Sequence, residues 1–175
     1  MAGKKSITFG GFMILLVISI WVGGFATPAI AETVNFKLYD YQGKQERALI
    51  GDVENHVFVQ QIRRGFFVLE NGEIAQWLVH SQNEQIKGSG SFKNYGTITF
   101  SDGSTIMTKG QGTIGGTVKS TRSAGTKSEI IKGTGRFEGI KGTMTYTGKF
   151  LPLDKGEEGQ KAIREGTLNY TLPSK

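Results

Sequence analysis

The chain has 175 residues, a formal net charge of +6, 26 glycines, three prolines and no cysteine. Without cysteine, a disulfide scaffold, a thiolate metal site and a cysteine-linked lipid are excluded. Abundant glycine with scarce proline argues against a disordered or collagen-like chain and fits many short strands joined by tight turns.

The first element in chain order is a leader. Lys4 and Lys5 precede an uncharged stretch from Phe9 to Phe25, and Thr27-Pro28-Ala29-Ile30-Ala31 follows. A positive region, an apolar run and an Ala-x-Ala site in that order predict a cleavable secretory signal peptide over residues 1–31, cut between Ala31 and Glu32. The rival reading is an uncleaved anchor. An apolar run of about 17 residues interrupted by Gly10, Gly11, Gly23 and Gly24 spans a bilayer only marginally. The expectation is an exported protein, periplasmic or secreted, with no stable membrane span after processing.

Removing 31 residues from 175 leaves 144, the size of one domain. Lys4 and Lys5 leave with the leader, so 19 basic residues face 15 acidic ones. That excess is too diffuse to predict nucleic-acid binding. Residues 32–175 show period-two alternation almost throughout. Val34, Phe36 and Leu38 alternate with polar neighbours, and 56–62 reads as a strand. Phe66–Glu70 and Ile74–His80 flank Asn71-Gly72, read as a two-residue hairpin turn. Thr97–Phe100 and Thr105–Thr108 flank a turn at Asp102-Gly103. Met144, Tyr146 and Phe150 alternate in a later strand, Asp154–Glu165 reads as a long loop, and Leu168, Tyr170 and Leu172 mark the last strand. No helical period is sustained. The fold class predicted is all-β, with a sandwich and a single antiparallel, roughly eight-stranded closed β-barrel as the two architectures. Closure is preferred because it removes exposed edges.

Chemistry-bearing motifs are few. Gly110-Gln111-Gly112-Thr113-Ile114-Gly115 has the letters of a dinucleotide fingerprint, but no helix follows to cradle a pyrophosphate. His56 and His80 lack metal-ligand spacing. No nucleophile elbow or triad spacing occurs. The sequence therefore calls for no cofactor and no metal, and offers no catalytic residue. Strand alternation selects Phe36, Leu38, Phe100, Tyr146 and Tyr170 as inward-facing. Such a set either packs a core or lines a cavity for one small apolar ligand.

One stretch carries a family resemblance. Gly133-Thr134-Gly135-Arg136-Phe137-Glu138-Gly139-Ile140-Lys141-Gly142 resembles the signature of the allene oxide cyclase-like barrels, a superfamily that includes plant dirigent proteins. Pro152 and Asn169-Tyr170-Thr171-Leu172 match its ending. Gly51-Asp52-Val53, Arg63-Arg64-Gly65, Glu70-Asn71-Gly72-Glu73 and Phe100-Ser101-Asp102-Gly103-Ser104 are similar to exported bacterial relatives of uncharacterised role. The resemblance implies an eight-stranded antiparallel barrel, trimeric in many of the plant enzymes, and hence a homo-oligomer. It does not carry the cyclase chemistry across. The glutamate and asparagine of the plant first strand fall in register with Phe36 and Leu38, and from Val34 onward no acid appears there before Asp40. Three functions remain open: a non-catalytic exported barrel binding a small hydrophobic ligand or an envelope partner, an isomerase or cyclase acting on a lipid-derived substrate, and a purely structural envelope protein.

Overall fold

The computed structural model describes residues 31–115, 123–156 and 158–174. The expected signal peptide, residues 1–31, lies outside them except for Ala31. Eight strands follow in chain order: β1 Ala31–Leu49, β2 His56–Leu69, β3 Ile74–Ile86, β4 Ser89–Thr99, β5 Thr105–Gly115, β6 Ser123–Thr134, β7 Lys141–Leu151 and β8 Lys161–Thr171. Each pairs antiparallel with the next, and β8 returns to β1, so the sheet closes into a barrel. The sandwich alternative is thereby set aside.

Period two explains the inside and the outside. Phe36, Leu38 and Asp40 of β1 point inward while Asn35, Lys37 and Tyr39 point to solvent. Two bulges adjust the phase. One lies in β1 between Gln42 and Gln45. The other sits where Met107 and Thr108 of β5 face Lys132 and Ile130 of β6. The second leaves Ile131 outward and brings Gly133 back inside, so the Ile130-Ile131 pair does not break the barrel.

The chain termini of the barrel, Ala31 and Thr171, pair at the end we call lower. The β2–β3, β4–β5 and β6–β7 connections close that end. The β1–β2, β3–β4 and β7–β8 connections form the upper end, where β5 ends and β6 begins; residues 116–122 lie outside the described residues. Two lower turns share one design. Gly72 N–H donates to Leu69 O and Leu69 N–H to Glu73 O; Gly103 N–H donates to Phe100 O and Phe100 N–H to Ser104 O. Gly72 and Gly103 have φ of 85° and 81°. These are three-residue loops ending on a left-handed glycine, not the two-residue turn expected at Asn71-Gly72, because Asn71 keeps a negative φ. Positive φ at both central positions occurs instead at Lys87-Gly88, between β3 and β4, with φ of 51° and 84°.

The β6–β7 connection, residues 135–140, opens with a 3₁₀ turn, Gly135–Phe137, whose Phe137 plugs the lower end. The Phe137 ring lies 4.7 Å from Phe100, and the Arg136 guanidinium covers both rings at 4.8 and 4.6 Å. Above this plug sits one continuous apolar core including Phe36, Leu38, Phe67, Trp77, Ile98 and Met144. Phe36 stacks on Phe67 with ring centroids 4.1 Å apart. The lower half of the barrel is filled by side chains.

Candidate functional site

The upper half is built differently. A second, smaller apolar cluster of Phe92, Ile114, Ala124, Phe150 and Ala162 lines the walls there. Between the two clusters runs a polar belt. Asp40, Arg63, Ser81, Asn83, Asn94, Thr108, Thr126, Ser128 and Arg164 are all buried. Alternation puts them there: each continues the inward phase of its strand past the point where the apolar residues stop.

The belt centres on one carboxylate between two guanidiniums. Asp40 Oδ1 accepts from Arg63 Nε at 2.5 Å and also contacts Arg63 Nη2. Asp40 Oδ2 accepts from Arg164 Nε at 2.5 Å. Arg63 Nη2 further donates to Gln160 O of the β7–β8 connection at 3.2 Å, which ties that loop to the interior. Both cations lie over aromatic faces, Arg63 at 5.6 Å from Phe150 and Arg164 at 5.7 Å from Tyr146. Burial lowers the pKa of Arg63 while Asp40 opposes it. Burial also disfavours the Arg164 charge, but Asp40 and Tyr146 oppose it and the pKa is raised. An arginine stays protonated under either influence.

Among the described residues, six buried side-chain atoms of this belt have no hydrogen-bond partner: Arg63 Nη1, Ser81 Oγ, Asn83 Oδ1, Thr108 Oγ1, Thr126 Oγ1 and Ser128 Oγ. Buried polar groups are ordinarily satisfied, so such a concentration marks a place built to meet something polar. Arg63, Ser81 and Asn83 line an internal cavity of about 30 Å³, together with Asp40, Arg164, Trp77, Phe92 and Phe150. Above it a vestibule of about 520 Å³ opens at the upper end, bounded by Arg47, Val57, Val59, Gln85, Lys87 and Ile114. Gln61, Asn83 and Ile114 border both spaces. A larger concavity of about 960 Å³ lies on the outer face of the sheet among Lys93, Tyr95, Lys109, Lys127 and Glu129. Those side chains are exposed, and Tyr95 is 54% accessible, so this is a solvated furrow.

The upper rim carries a second polar device. His56 is nearly buried, its side chain 8% exposed, and bridges two carboxylates. Its Nδ1 lies 2.5 Å from Asp52 of the β1–β2 connection and its Nε2 3.1 Å from Glu84 of β3. The hydrogen bond to Asp52, ahead of opposing burial and the bond to Glu84, raises the His56 pKa. The same bond lowers that of Asp52.

The five lining residues chosen from the sequence all belong to the lower half. Phe36, Leu38, Phe100 and Tyr146 are members of the main core, and Tyr170 is partly buried against it. Of the five, Tyr146 borders the internal cavity. Tyr170 donates its hydroxyl to Glu32 at 2.5 Å, and burial together with that bond pushes its pKa up to about 12. Ala31 and Glu32, the residues flanking the expected cut, pair with Thr171 and Tyr170 at the start of β1. His80 is exposed on β3. Among the described residues no cluster of three or more His, Cys, Asp or Glu is arranged to hold a metal. No helix there is long and apolar enough to cross a membrane.

Sequence reasoning missed Asp40, Arg63 and Arg164. The signal was present for the first two. Asp40 follows Val34, Phe36 and Leu38 in strict period two, and Arg63 follows Val57 and Val59 at even spacing. Arg164 fell within the stretch read as loop, whose last five residues, Lys161–Glu165, are the start of β8.

No family model matches the chain, and no curated protein does. Solved structures do. One pterocarpan synthase dirigent protein is similar over 96% of this chain and 100% of its own, at 15% identity and a TM-score of 0.47. A second pterocarpan synthase dirigent protein is similar over 82% of this chain and 97% of its own, at 16% identity and a TM-score of 0.47. A conserved protein of unknown function from Rhodopseudomonas palustris is similar over 82% of this chain and 98% of its own, at 12% identity and a TM-score of 0.49. At 12–16% identity the likeness bears on fold alone.

Proposed function

We propose that the protein is an exported, non-catalytic barrel that holds a small molecule in the upper half of its interior. The observation that carries this reading is the division of the barrel. The lower half is packed solid, whereas the upper half joins apolar walls, unpartnered polar atoms and a vestibule open to solvent. Binding sites are concave, largely apolar and fitted with a few placed polar groups. The non-catalytic part of the proposal rests on Asp40. Among the described residues it is the one carboxylate lining the inner cavity, and both its oxygens already accept from guanidiniums. A carboxylate so engaged is not placed to take or give a proton. Export rests on the leader. A cut after Ala31 leaves every strand pair from Glu32↔Tyr170 onward intact.

The test uses a neutral apolar fluorophore, N-phenyl-1-naphthylamine, and the mature domain. Trp77 lines the inner cavity, and the second tryptophan of the chain, Trp21, leaves with the leader. Saturable one-to-one binding that quenches Trp77 and weakens in Ala124→Phe, which fills the upper cluster, is the expected result. Absence of saturable binding, or binding unchanged by Ala124→Phe in a folded variant, would leave a structural barrel as the better account.

A further inference from the structure

Resting on that reading, we infer that the ligand carries a carboxylate, which docks on Arg63 deep in the barrel while its apolar body lies between Phe92, Phe150 and Ile114. The charge count is the first support. Two guanidinium cations share one carboxylate, so the centre holds one uncompensated positive charge out of reach of bulk water. Buried charges are costly unless paired. Arg63 is 3% exposed, and its Nη1 has no partner among the described residues although Nε and Nη2 are both engaged. That leaves a charged donor at a cavity wall. Ser81 Oγ, buried and equally unpartnered, lines the same cavity and adds a hydroxyl donor.

Size and path agree with the charge. The inner cavity of about 30 Å³ has room for a headgroup on the scale of a water or two and none for a chain or ring. The body of the ligand must therefore extend upward past the Phe92–Phe150 cluster into the vestibule of about 520 Å³. The rim itself is mixed in charge, with His56 held between Asp52 and Glu84. Lys87 pairs with Glu54 at 3.7 Å, and Arg47 adds a further positive charge beside them.

The experiment compares octanoate with octanol by calorimetry on the mature domain at neutral pH, in chloride-free buffer. The pair shares its chain and differs in its head. A charge-assisted bond to buried Arg63 should make octanoate about tenfold tighter or more, although octanol is the more apolar. Arg63→Met should abolish the preference and keep octanol binding, since Asp40 retains Arg164. Asp40→Asn, which frees a second positive charge, should increase the preference. A merely structural triad would not move the acid-to-alcohol ratio in opposite directions in two folded variants. Equal binding of the two probes overturns the inference and leaves the proposed small-molecule site in the upper half standing, because the neutral fluorophore tests that site separately. Chloride binding as tight as octanoate reduces the centre to an inorganic-anion site and also overturns it. Failure of octanoate, octanol and the fluorophore together overturns both.

Discussion

Asp40 is the residue on which the interior depends. It sits 5% exposed between Arg63 and Arg164, which are 3% and 7% exposed. Removing one arginine leaves a neutral pair; removing the carboxylate leaves two buried cations facing each other. Breaking a buried pair so that charge is stranded costs about 3–5 kcal/mol. Asp40→Ala should therefore lower the urea midpoint far more than Arg63→Met, with both unfolding curves measured at pH 7. Equal losses would mean that the triad is not an electrostatic unit. At the lower end the sensitive residues are glycines. Gly135 has φ of 62°, and a Cβ there would lie 2.3 Å from Ser104 Oγ. Gly139 has φ of 75° and would press a Cβ to 2.8 Å from Pro173 Cγ. Valine is poorly suited to such backbone. Gly135→Val and Gly139→Val should prevent folding. Thr145→Val, on the outer face of β7, loses a hydroxyl contact of 3.1 Å to Thr167 and should stay within about 0.5 kcal/mol of wild type. Circular dichroism melts decide this; cooperative melting of both glycine variants near the wild-type temperature would sink it.

At the scale of elements, the rim clamp of β1, β2 and β3 gives the barrel mouth a pH dependence. The His56 pKa is raised by its bond to Asp52, so its contribution is fully present below the ordinary histidine value near 6.5. It is lost as the pH rises through the raised folded value. The Asp52 pKa is lowered, so its share holds above the ordinary aspartate value and is lost as the pH falls through the depressed one. Amides of residues 50–55 should therefore exchange faster at pH 9 than at pH 6 once intrinsic rates are divided out, and His56→Gln should flatten the profile. Protection that is the same at both pH values would show that the clamp does not hold the loop. The same elements show where strands were legible. Val34, Phe36 and Leu38 announced β1 because their face is buried. The rest of β1, to Leu49, gave no alternation. Beyond Tyr41 it no longer pairs with β8 and continues only against β2, so neither face enters the core. The turn at Lys87-Gly88 escaped notice because lysine carries no turn signal, although it adopts the left-handed conformation there.

For the whole molecule, the closed architecture was legible from composition and period two, since eight short alternating segments with few edge defences demand closure. The candidate site was less so. Alternation assigns a side chain to the inside but not to a height in the barrel, because height depends on register between strands. Phe36, Leu38 and Phe100 were rightly placed inward, yet register carries them to the packed lower half. The polar belt forms only when Asp40, Arg63, Ser81, Asn94, Ser128 and Arg164 are brought to one level by six different strands. If the leader is removed as proposed, the exported domain should begin at Glu32, with Glu32 still accepting the Tyr170 hydroxyl; intact-mass measurement of exported material checks this, and a mass retaining residues 1–31 would revive the anchor. The central claim is that ligand enters the upper half alone. Methyl-resolved NMR of the mature domain, titrated with N-phenyl-1-naphthylamine, tests it most directly. The account predicts saturable shifts at Ile114, Ala124 and Ala162, with Ile98, Ile106 and Met144 unmoved; shifts centred on the latter three, or none at any of the six, would contradict it.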